Sequence, residues 1–62
     1  MYQIYIKLRN VLTGKENIYP ASPKYKSKGK ATRDIAKFIE MEVSSGISPV
    51  TRITASVVKV KQ

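Results

Sequence analysis

Residues 2–9 read Tyr2-Gln3-Ile4-Tyr5-Ile6-Lys7-Leu8-Arg9, a run in which two kinds of side chain alternate. In an extended chain, one face would carry Tyr2, Ile4, Ile6 and Leu8. The other face would carry Gln3, Tyr5, Lys7 and Arg9. This pattern predicts a strand with one buried face and one solvated face. Because it is the strongest local pattern in the chain, we expect this strand to lie at the centre of the fold.

A short hairpin is predicted directly after this strand. Asn10–Lys15 is typical of a turn in which Gly14 supplies a positive φ. Glu16–Tyr19 then forms a short return strand, and Pro20 ends that strand or confines it to an edge, because proline lacks the N–H that a central ladder needs.

The last predicted strand is Thr51–Lys61. Its apolar residues change phase at Val57-Val58, and lysines follow at positions 59 and 61. We therefore expect a β-bulge or an end to pairing near that step.

One helix is predicted over residues 31–46. Thr32 is a suitable N-cap, Asp34 would lie in the first turn, where the helix dipole favours an anion, and Gly46 and Pro49 end the helix. One arc of the helical wheel holds the apolar residues Ala31, Ile35, Phe38, Ile39 and Val43.

The element order β-β-α-β predicts a two-layer α+β fold. A helix between the second and third strands returns the chain so that those strands run parallel, and the first strand fits between them. We expect a three-stranded sheet in the order 2-1-3, with the helix on one face, a right-handed crossover and the other face in water. Residues 1–62 form one small domain with a flexible basic loop at about residues 22–30.

The charge of the chain is unevenly placed. Twelve Lys/Arg and four Asp/Glu give a net charge of +8. Residues 1–30 carry +6, the predicted helix carries −1 and residues 47–62 carry +3. A protein that inserts its helix into a DNA groove shows the opposite distribution, so we expect strands and a loop to form the basic surface.

The residue types argue against catalysis. The chain has no cysteine and no histidine, so it lacks the best nucleophile, the commonest general base and any Cys/His metal site. Glu40 and Glu42 lie about 200° apart around a helix and cannot converge. We expect a non-enzymatic protein with no metal and no cofactor.

Length and hydropathy predict the cellular setting. No apolar run reaches the length of a membrane span, and the residues after Met1 do not form a signal peptide. We expect a complete small reading frame whose product is soluble, cytoplasmic and not bound to membranes. A chain this short has a marginal core, so a homodimer through an edge strand or through the surface around Met41 and Val43 would add stability.

The open sheet face is the first candidate site. Tyr5 offers a ring for base stacking, and Lys7 and Arg9 offer charge along the phosphates of a single strand of DNA or RNA. The third strand would extend this patch with Arg52, Lys59 and Lys61. The alternative is that such residues serve β-propensity and solubility.

The basic loop is the second candidate. Lys24, Lys26, Lys28 and Lys30 surround Tyr25 and suit a mobile arm that tracks phosphates. Such an arm supplies affinity rather than base discrimination. The alternative is a solvated connector.

Glu42 stands out because it falls inside the apolar arc of the helix. It either reaches out from the rim and pairs with a lysine or arginine of the sheet, or contacts a protein partner.

The stretch from Tyr5 to Glu42 resembles the N-terminal arm-site-binding domains of phage and transposon tyrosine integrases. Those domains run strand, Thr-Gly-Lys turn, strand, basic segment and then a helix with an early alanine, as Thr13-Gly14-Lys15 and Ala36 do here. Their third strand precedes the helix, whereas the third strand predicted here follows it. The resemblance implies a phage or mobile-element context.

These observations predict a non-catalytic nucleic-acid-binding protein of low sequence specificity, which binds through its open sheet face and its lysine-rich loop. The alternative is a small phage- or mobile-element-type inhibitor or adaptor that docks its basic face on an acidic protein surface. Both partners attract the same patch, so charge alone does not separate them.

Overall fold

The structure is a computed structural model that describes residues 1–61. Its elements are β1 (Tyr2–Asn10), β2 (Glu16–Pro20), α1 (Lys28–Ser44) and β3 (Thr51–Lys59). The strands form one antiparallel sheet in the order β2-β1-β3, and α1 packs on β1 and β3. The two-layer α+β fold and the strand order predicted from the sequence are confirmed.

β1 is the centre of the sheet because both of its edges are paired. It pairs with β3 over residues 2–10 and with β2 over residues 5–9. Ile4 and Ile6 are fully buried on the helix side, together with Ala31 of α1. Tyr5 and Lys7 alternate with them and lie on the opposite face. The predicted faces of this strand are therefore confirmed.

β3 pairs with β1 along its whole length without a break. The pairing is regular from Thr51 opposite Asn10 to Lys59 opposite Tyr2. The predicted bulge or break at Val57-Val58 is therefore wrong. Val58 lies on the face that the helix leaves open, where it is 40% exposed, so the change of apolar phase marks an exposed valine in a regular strand.

α1 begins earlier than the sequence pattern predicts. Ser27 is the N-cap, and its hydroxyl accepts a hydrogen bond from the Lys30 N–H. Thr32 lies inside the helix, where its hydroxyl donates to the Lys28 carbonyl at 2.8 Å. The predicted N-cap at Thr32 and the first-turn position of Asp34 are therefore wrong. Serine and threonine are both favoured N-cap residues, and the first turn, Lys28-Gly29-Lys30, contains no apolar residue that would mark it as helical.

The early start changes the charge of the helix. Lys28 and Lys30 now belong to its first turn, which contains no acidic residue. The basic residues of α1 therefore outnumber its acidic residues by four to three, and the predicted net charge of −1 is corrected to +1. The loop predicted for residues 22–30 loses its last three residues to α1.

Both turns contain glycine where a positive φ is needed. Gly14 has a φ of 77° in the β1–β2 hairpin, and Gly46 has a φ of 94° just beyond the end of α1. In the hairpin, the Asn10 side-chain oxygen accepts hydrogen bonds from the Leu12 and Thr13 N–H groups at 2.9 and 3.2 Å. The two glycine positions predicted from the sequence are confirmed.

The segment that follows β2 continues along the same edge of β1. The Ala21 N–H donates to the Ile4 carbonyl at 2.8 Å, and Ser22 Oγ accepts from the Ile4 N–H at 2.9 Å. Tyr25 and Tyr2 then exchange two backbone hydrogen bonds, at 2.6 and 2.7 Å. This connector is therefore held by backbone bonds before it enters α1.

Ser22 is the buried polar residue of this connector, at 8% exposure. Its hydroxyl also donates to the Pro23 carbonyl at 2.9 Å. Ser22→Ala should lower the free energy of unfolding by about 1–2 kcal/mol, because it leaves the buried Ile4 N–H without its acceptor. Urea unfolding measures this loss. Ser56→Ala, at an exposed strand position, is the control and should change stability by less than ~0.5 kcal/mol. Equal effects of the two changes would contradict this role.

Candidate nucleic-acid interface

The predicted site residues fall into two groups in the structure. The first group lies on the sheet face opposite α1, here called the open face. This face consists of Gln3, Tyr5, Lys7 and Arg9 of β1, Glu16, Ile18 and Pro20 of β2, and Arg52, Thr54, Ser56 and Val58 of β3. Four of the predicted binding residues, Tyr5, Lys7, Arg9 and Arg52, therefore share one surface.

The open face is less basic than its cations alone suggest. Lys7 Nζ lies 3.3 Å from Glu16 Oε2, and Arg9 stands opposite both Glu16 and Arg52 in the strand register. Both partners of the Lys7–Glu16 pair are about two-fifths exposed, so this ion pair is weak and can exchange for another anion.

Tyr5 lies at the middle of the open face and is half-buried. A shallow depression of about 180 Å³ runs beside it, lined on the open face by Lys7, Ile18, Thr54 and Ser56. Hydroxyls, an exposed apolar side chain and a cation therefore surround the one aromatic residue of this face.

The second group lies at the end of the sheet where β1 begins, β3 ends and α1 starts; it is called the basic end here. It contains Lys24, Lys26, Lys28, Lys30, Lys59 and Lys61. Tyr2 links the end of β3 to the connector between β2 and α1, because it pairs with Lys59 on one side and forms a β-bridge with Tyr25 on the other. Lys24 Nζ also donates to the Lys61 carbonyl at 3.0 Å.

Lys59 lies on the face of the sheet that carries α1, not on the open face where the sequence analysis expects it. It stands opposite Tyr2, seven residues from Arg52, so its side chain leaves the strand on the opposite face from Arg52. Lys61 follows the end of the strand. The predicted basic patch along the open face is therefore extended by Arg52 alone. Regular pairing through Val58 decides this outcome, because a bulge there would have turned Lys59 over.

Tyr25 is tied to the helix rather than carried on a free arm. Its hydroxyl donates to Asp34 Oδ2 at 2.8 Å. Partial burial, with this hydrogen bond and the nearby carboxylate, raises the pKa of Tyr25 above its usual range. The side chain expected to aid nucleic-acid contact is thus a structural link between the connector and α1.

A second tyrosine faces a second helix carboxylate. Burial, together with the neighbouring Glu42 carboxylate, raises the pKa of Tyr19 to about 12. Glu42 is half-buried on the wall of a cleft of about 260 Å³ between α1 and β2, with Phe38 and Met41 beside it. The expected pairing of Glu42 with a lysine or arginine is therefore wrong: among residues 1–61 the ion pair within 4.0 Å is Lys7–Glu16, and Glu42 lies beside a phenol instead.

The sequence gives little signal for these two tyrosine–carboxylate contacts. Asp34 and Glu42 are eight residues apart, about two helical turns, and so lie on the same side of α1. Tyr19 and Tyr25 lie in β2 and in the connector on the matching side of the sheet. Only the placement of α1 over the sheet makes them neighbours.

The charged residues of α1 are placed unfavourably relative to the helix dipole. Lysines occupy its first turn, and the last turn contains no basic residue. Cations near a helix N-terminus are unfavourable, since the unpaired N–H groups there already carry partial positive charge. The basic end therefore combines side-chain charge with the positive end of the helix, an arrangement that attracts anions.

Some features are absent from the described part of the chain. Within residues 1–61, no three His, Cys, Asp or Glu side chains come together as a metal site would require. No helix in this range is long and apolar enough to cross a membrane.

No protein-family model, curated protein or solved structure matches this chain. The element order also differs from the integrase arm-site-binding domains that part of the sequence resembles, because β3 follows α1.

The contact between Tyr19 and Glu42 has a measurable consequence at high pH. The pKa of Tyr19 rises from 10.0 to about 12 on folding, so its contribution to stability is complete below pH 10 and is lost as the pH rises towards 12. Phenolate absorbance in the folded protein should show a late step that Tyr19→Phe removes and that Glu42→Gln moves to lower pH. Because the pKa of Tyr25 is also raised, the titration is made in a Tyr25→Phe background. A late step that survives Tyr19→Phe in that background would contradict the assignment.

Proposed function

We propose that this protein binds nucleic acid without catalysing a reaction, with low sequence specificity, through the basic end and the open face. The observation that carries the proposal is the gathering of six lysines from the connector, from the first turn of α1 and from the end of β3 at one end of the sheet. Lys59 and Lys61 lie about thirty residues beyond the other four lysines in the sequence, so the fold is needed to bring the two sets to one end of the sheet.

The lysines of the basic end have their charge available for a ligand. Among residues 1–61, the one ion pair within 4.0 Å is Lys7–Glu16, which lies outside the cluster. Concentrated, uncompensated positive charge in water favours a polyanion, because each phosphate contact releases condensed counterions. The unfavourable placement of lysines at the start of α1 is consistent with selection for binding over helix stability.

The open face would continue the same binding path. β1 runs from Tyr2, at the basic end, to Arg9 at the other, and Tyr5 lies about 10 Å along the strand from Tyr2. A single strand held at the basic end therefore reaches a ring for stacking and the cations Lys7, Arg9 and Arg52.

Low specificity follows from the kinds of cation present. Nine of the twelve basic residues are lysines, which offer point charges rather than the planar fork of arginine that reads guanine. Hence contacts at the basic end would position the backbone of the ligand without reading its bases.

The direct test is a titration of ¹⁵N-labelled protein with a short single strand, a duplex and polyglutamate. The proposal expects amide shifts at the basic end and in β1 with either nucleic acid, at lower concentrations than with polyglutamate. Shifts of equal size and affinity with polyglutamate would instead favour an acidic protein as the partner. No shift with any of the three would refute binding by this surface.

Salt dependence tests the role of the basic end. Binding should weaken linearly on a log–log plot, and replacing Lys26, Lys28 and Lys30 with glutamine should reduce the slope by about 2–3, at roughly one unit per phosphate contact. The control replaces Lys15, Arg33 and Lys37 with glutamine, which removes the same charge from exposed positions outside the basic end. If both triple variants lower the slope equally, net charge rather than the cluster determines binding.

Tyr5 tests stacking separately from charge. Tyr5→Ala should weaken single-strand binding by about 1–3 kcal/mol, whereas Tyr5→Phe should retain it, because the ring rather than the hydroxyl stacks on a base. Fluorescence anisotropy with a labelled strand measures both changes. Ile18→Ala, at a 63% exposed position of the same face, is the control and should have little effect. Undiminished binding by a folded Tyr5→Ala protein would limit the site to the cations.

A further inference from the structure

The two outer edges of the sheet differ in how well they are protected. The edge of β2 is five residues long and ends in Pro20, which has no N–H to offer another strand. The edge of β3 is nine residues long, contains no proline and is regular throughout. Natural proteins usually shorten, bulge or cover such an edge, because its unpaired backbone groups are a template for another strand.

The hydrogen bonds at the end of β3 show which of its backbone N–H and C=O groups point away from β1. Met1 and Val60 exchange hydrogen bonds, at 3.0 and 2.8 Å, so this pair belongs to the hydrogen-bonded set of the ladder. Hydrogen-bonded and non-hydrogen-bonded pairs alternate, so even-numbered residues of β3 bond to β1 and odd-numbered residues face outward. The outward Thr51 N–H is satisfied by Ser48 at 2.9 Å. Within residues 1–61, Ile53, Ala55 and Val57 keep outward groups without a backbone partner.

We propose that this edge binds a second copy of the chain, with two antiparallel β3 strands related by a two-fold axis at Ala55. The result is a six-stranded sheet. In this register Ala55 lies opposite Ala55 of the other copy, Ile53 lies opposite its Val57, and Thr54 lies opposite its Ser56. The outward groups of Ile53, Ala55 and Val57 then form about six hydrogen bonds between the two chains, because every pair that must bond is odd-numbered in both copies.

The side chains suit this register. Ile53 opposite Val57 is a β-branched pair, and Thr54 opposite Ser56 is a hydroxyl pair; both kinds stabilise neighbouring strands. The register overlaps all nine residues of β3 with the nine of the other copy. A shift by two residues would leave strand residues of each copy without a partner.

The register also keeps the cations of the two β3 strands apart, although each chain carries a net charge of +8. Arg52 stands opposite Val58 and Lys59 opposite Thr51, so no cation faces a cation. The two Arg52 side chains are about 20 Å apart, at ~3.4 Å per residue. That distance exceeds twice the Debye length of about 8 Å at physiological salt, so their repulsion is largely screened.

The helices fit the same symmetry. Met41 and Glu42 line the cleft towards β2, so Ile39 and Val43 lie on the opposite flank of α1, above β3. With α1 above β1 and β3, each helix axis lies about 5 Å from the two-fold axis, since strands are ~4.8 Å apart. The helices would then be about 10 Å apart, a normal contact distance. Val43, which is 54% exposed in the single chain, would gain a neighbour there.

A small core gives the association a thermodynamic reason. Within residues 1–61, the fully buried apolar residues are Ile4, Ile6 and Ala31. A standard interface of about 800 Å² per partner would cover roughly a sixth of the 4648 Å² surface of one chain. The dimer is independent of nucleic-acid binding, although it would join the two open faces into one continuous surface.

Sedimentation velocity from about 1 μM to 1 mM tests the dimer. The native protein should approach twice the mass of one chain as its concentration rises. Ala55→Pro should still be monomeric at concentrations at least tenfold above those at which the native protein dimerises. The substitution removes an outward N–H without removing a hydrogen bond to β1. Ile18→Pro is the matched control: its N–H faces outward from β2, so it should dimerise like the native protein. A native chain that stays monomeric to 1 mM, or a dimer that only Ile18→Pro disrupts, overturns the proposal.

Two further measurements guard against a misfolded proline variant. Amide exchange at Ile53, Ala55 and Val57 should slow as protein concentration rises, whereas the exchange of Thr54 and Ser56, which bond to β1, should not depend on concentration. A chain with Thr54→Glu and Ser56→Glu should be monomeric alone and should pair with a chain carrying Thr54→Lys and Ser56→Lys. Concentration-independent exchange at all five amides, or failure of the oppositely charged chains to pair, refutes this register.

Discussion

The hydrogen bonding of β1 on both of its edges is the constraint on which the rest of the molecule depends. Even-numbered residues of β1 bond to β2 and the connector, and odd-numbered residues bond to β3. The same alternation places Ile4 and Ile6 under α1 and Tyr5 and Lys7 on the open face. A slip of one residue would expose the buried isoleucines, so the burial of two side chains fixes the register of the whole sheet.

The helix is held to this sheet by contacts of two kinds. Apolar contact centres on the fully buried Ala31, Ile4 and Ile6. On the β2 side, Asp34 accepts the Tyr25 hydroxyl, and Glu42 lies beside Tyr19. Each of these two carboxylates on the inner side of α1 therefore lies next to a phenol, a neutral group, rather than next to a cation.

The placement of charge carries a cost in folding that a binding role would offset. Lysines in the first turn of α1 oppose its dipole, and Lys24, Lys59 and Lys61 lie near them. The long outer edge of β3 is a second feature that a monomer of this size would not need. Both features are consistent with the two proposals made above, a polyanion at the basic end and a second copy of the chain at the edge of β3.

The sequence by itself determined the elements, their order and the central position of β1. Period-two alternation, glycines at two turns and a proline at the end of β2 act through neighbouring residues, so they can be read locally. Tyr5, Lys7, Arg9 and Arg52 could be assigned to one face for the same reason, since only strand parity was needed.

Only the tertiary structure decided which lysines share a surface. Lys59 belongs to the basic end because β3 pairs regularly past Val58, a matter of backbone hydrogen bonds with β1 rather than of apolar pattern. Lys28 and Lys30 belong to α1 because Ser27, not Thr32, caps it, and both residues are of types that commonly cap helices. Tyr25 and Glu42 took structural roles because α1 crosses the sheet at one particular place. Contacts between distant segments set that crossing, and no local pattern encodes them.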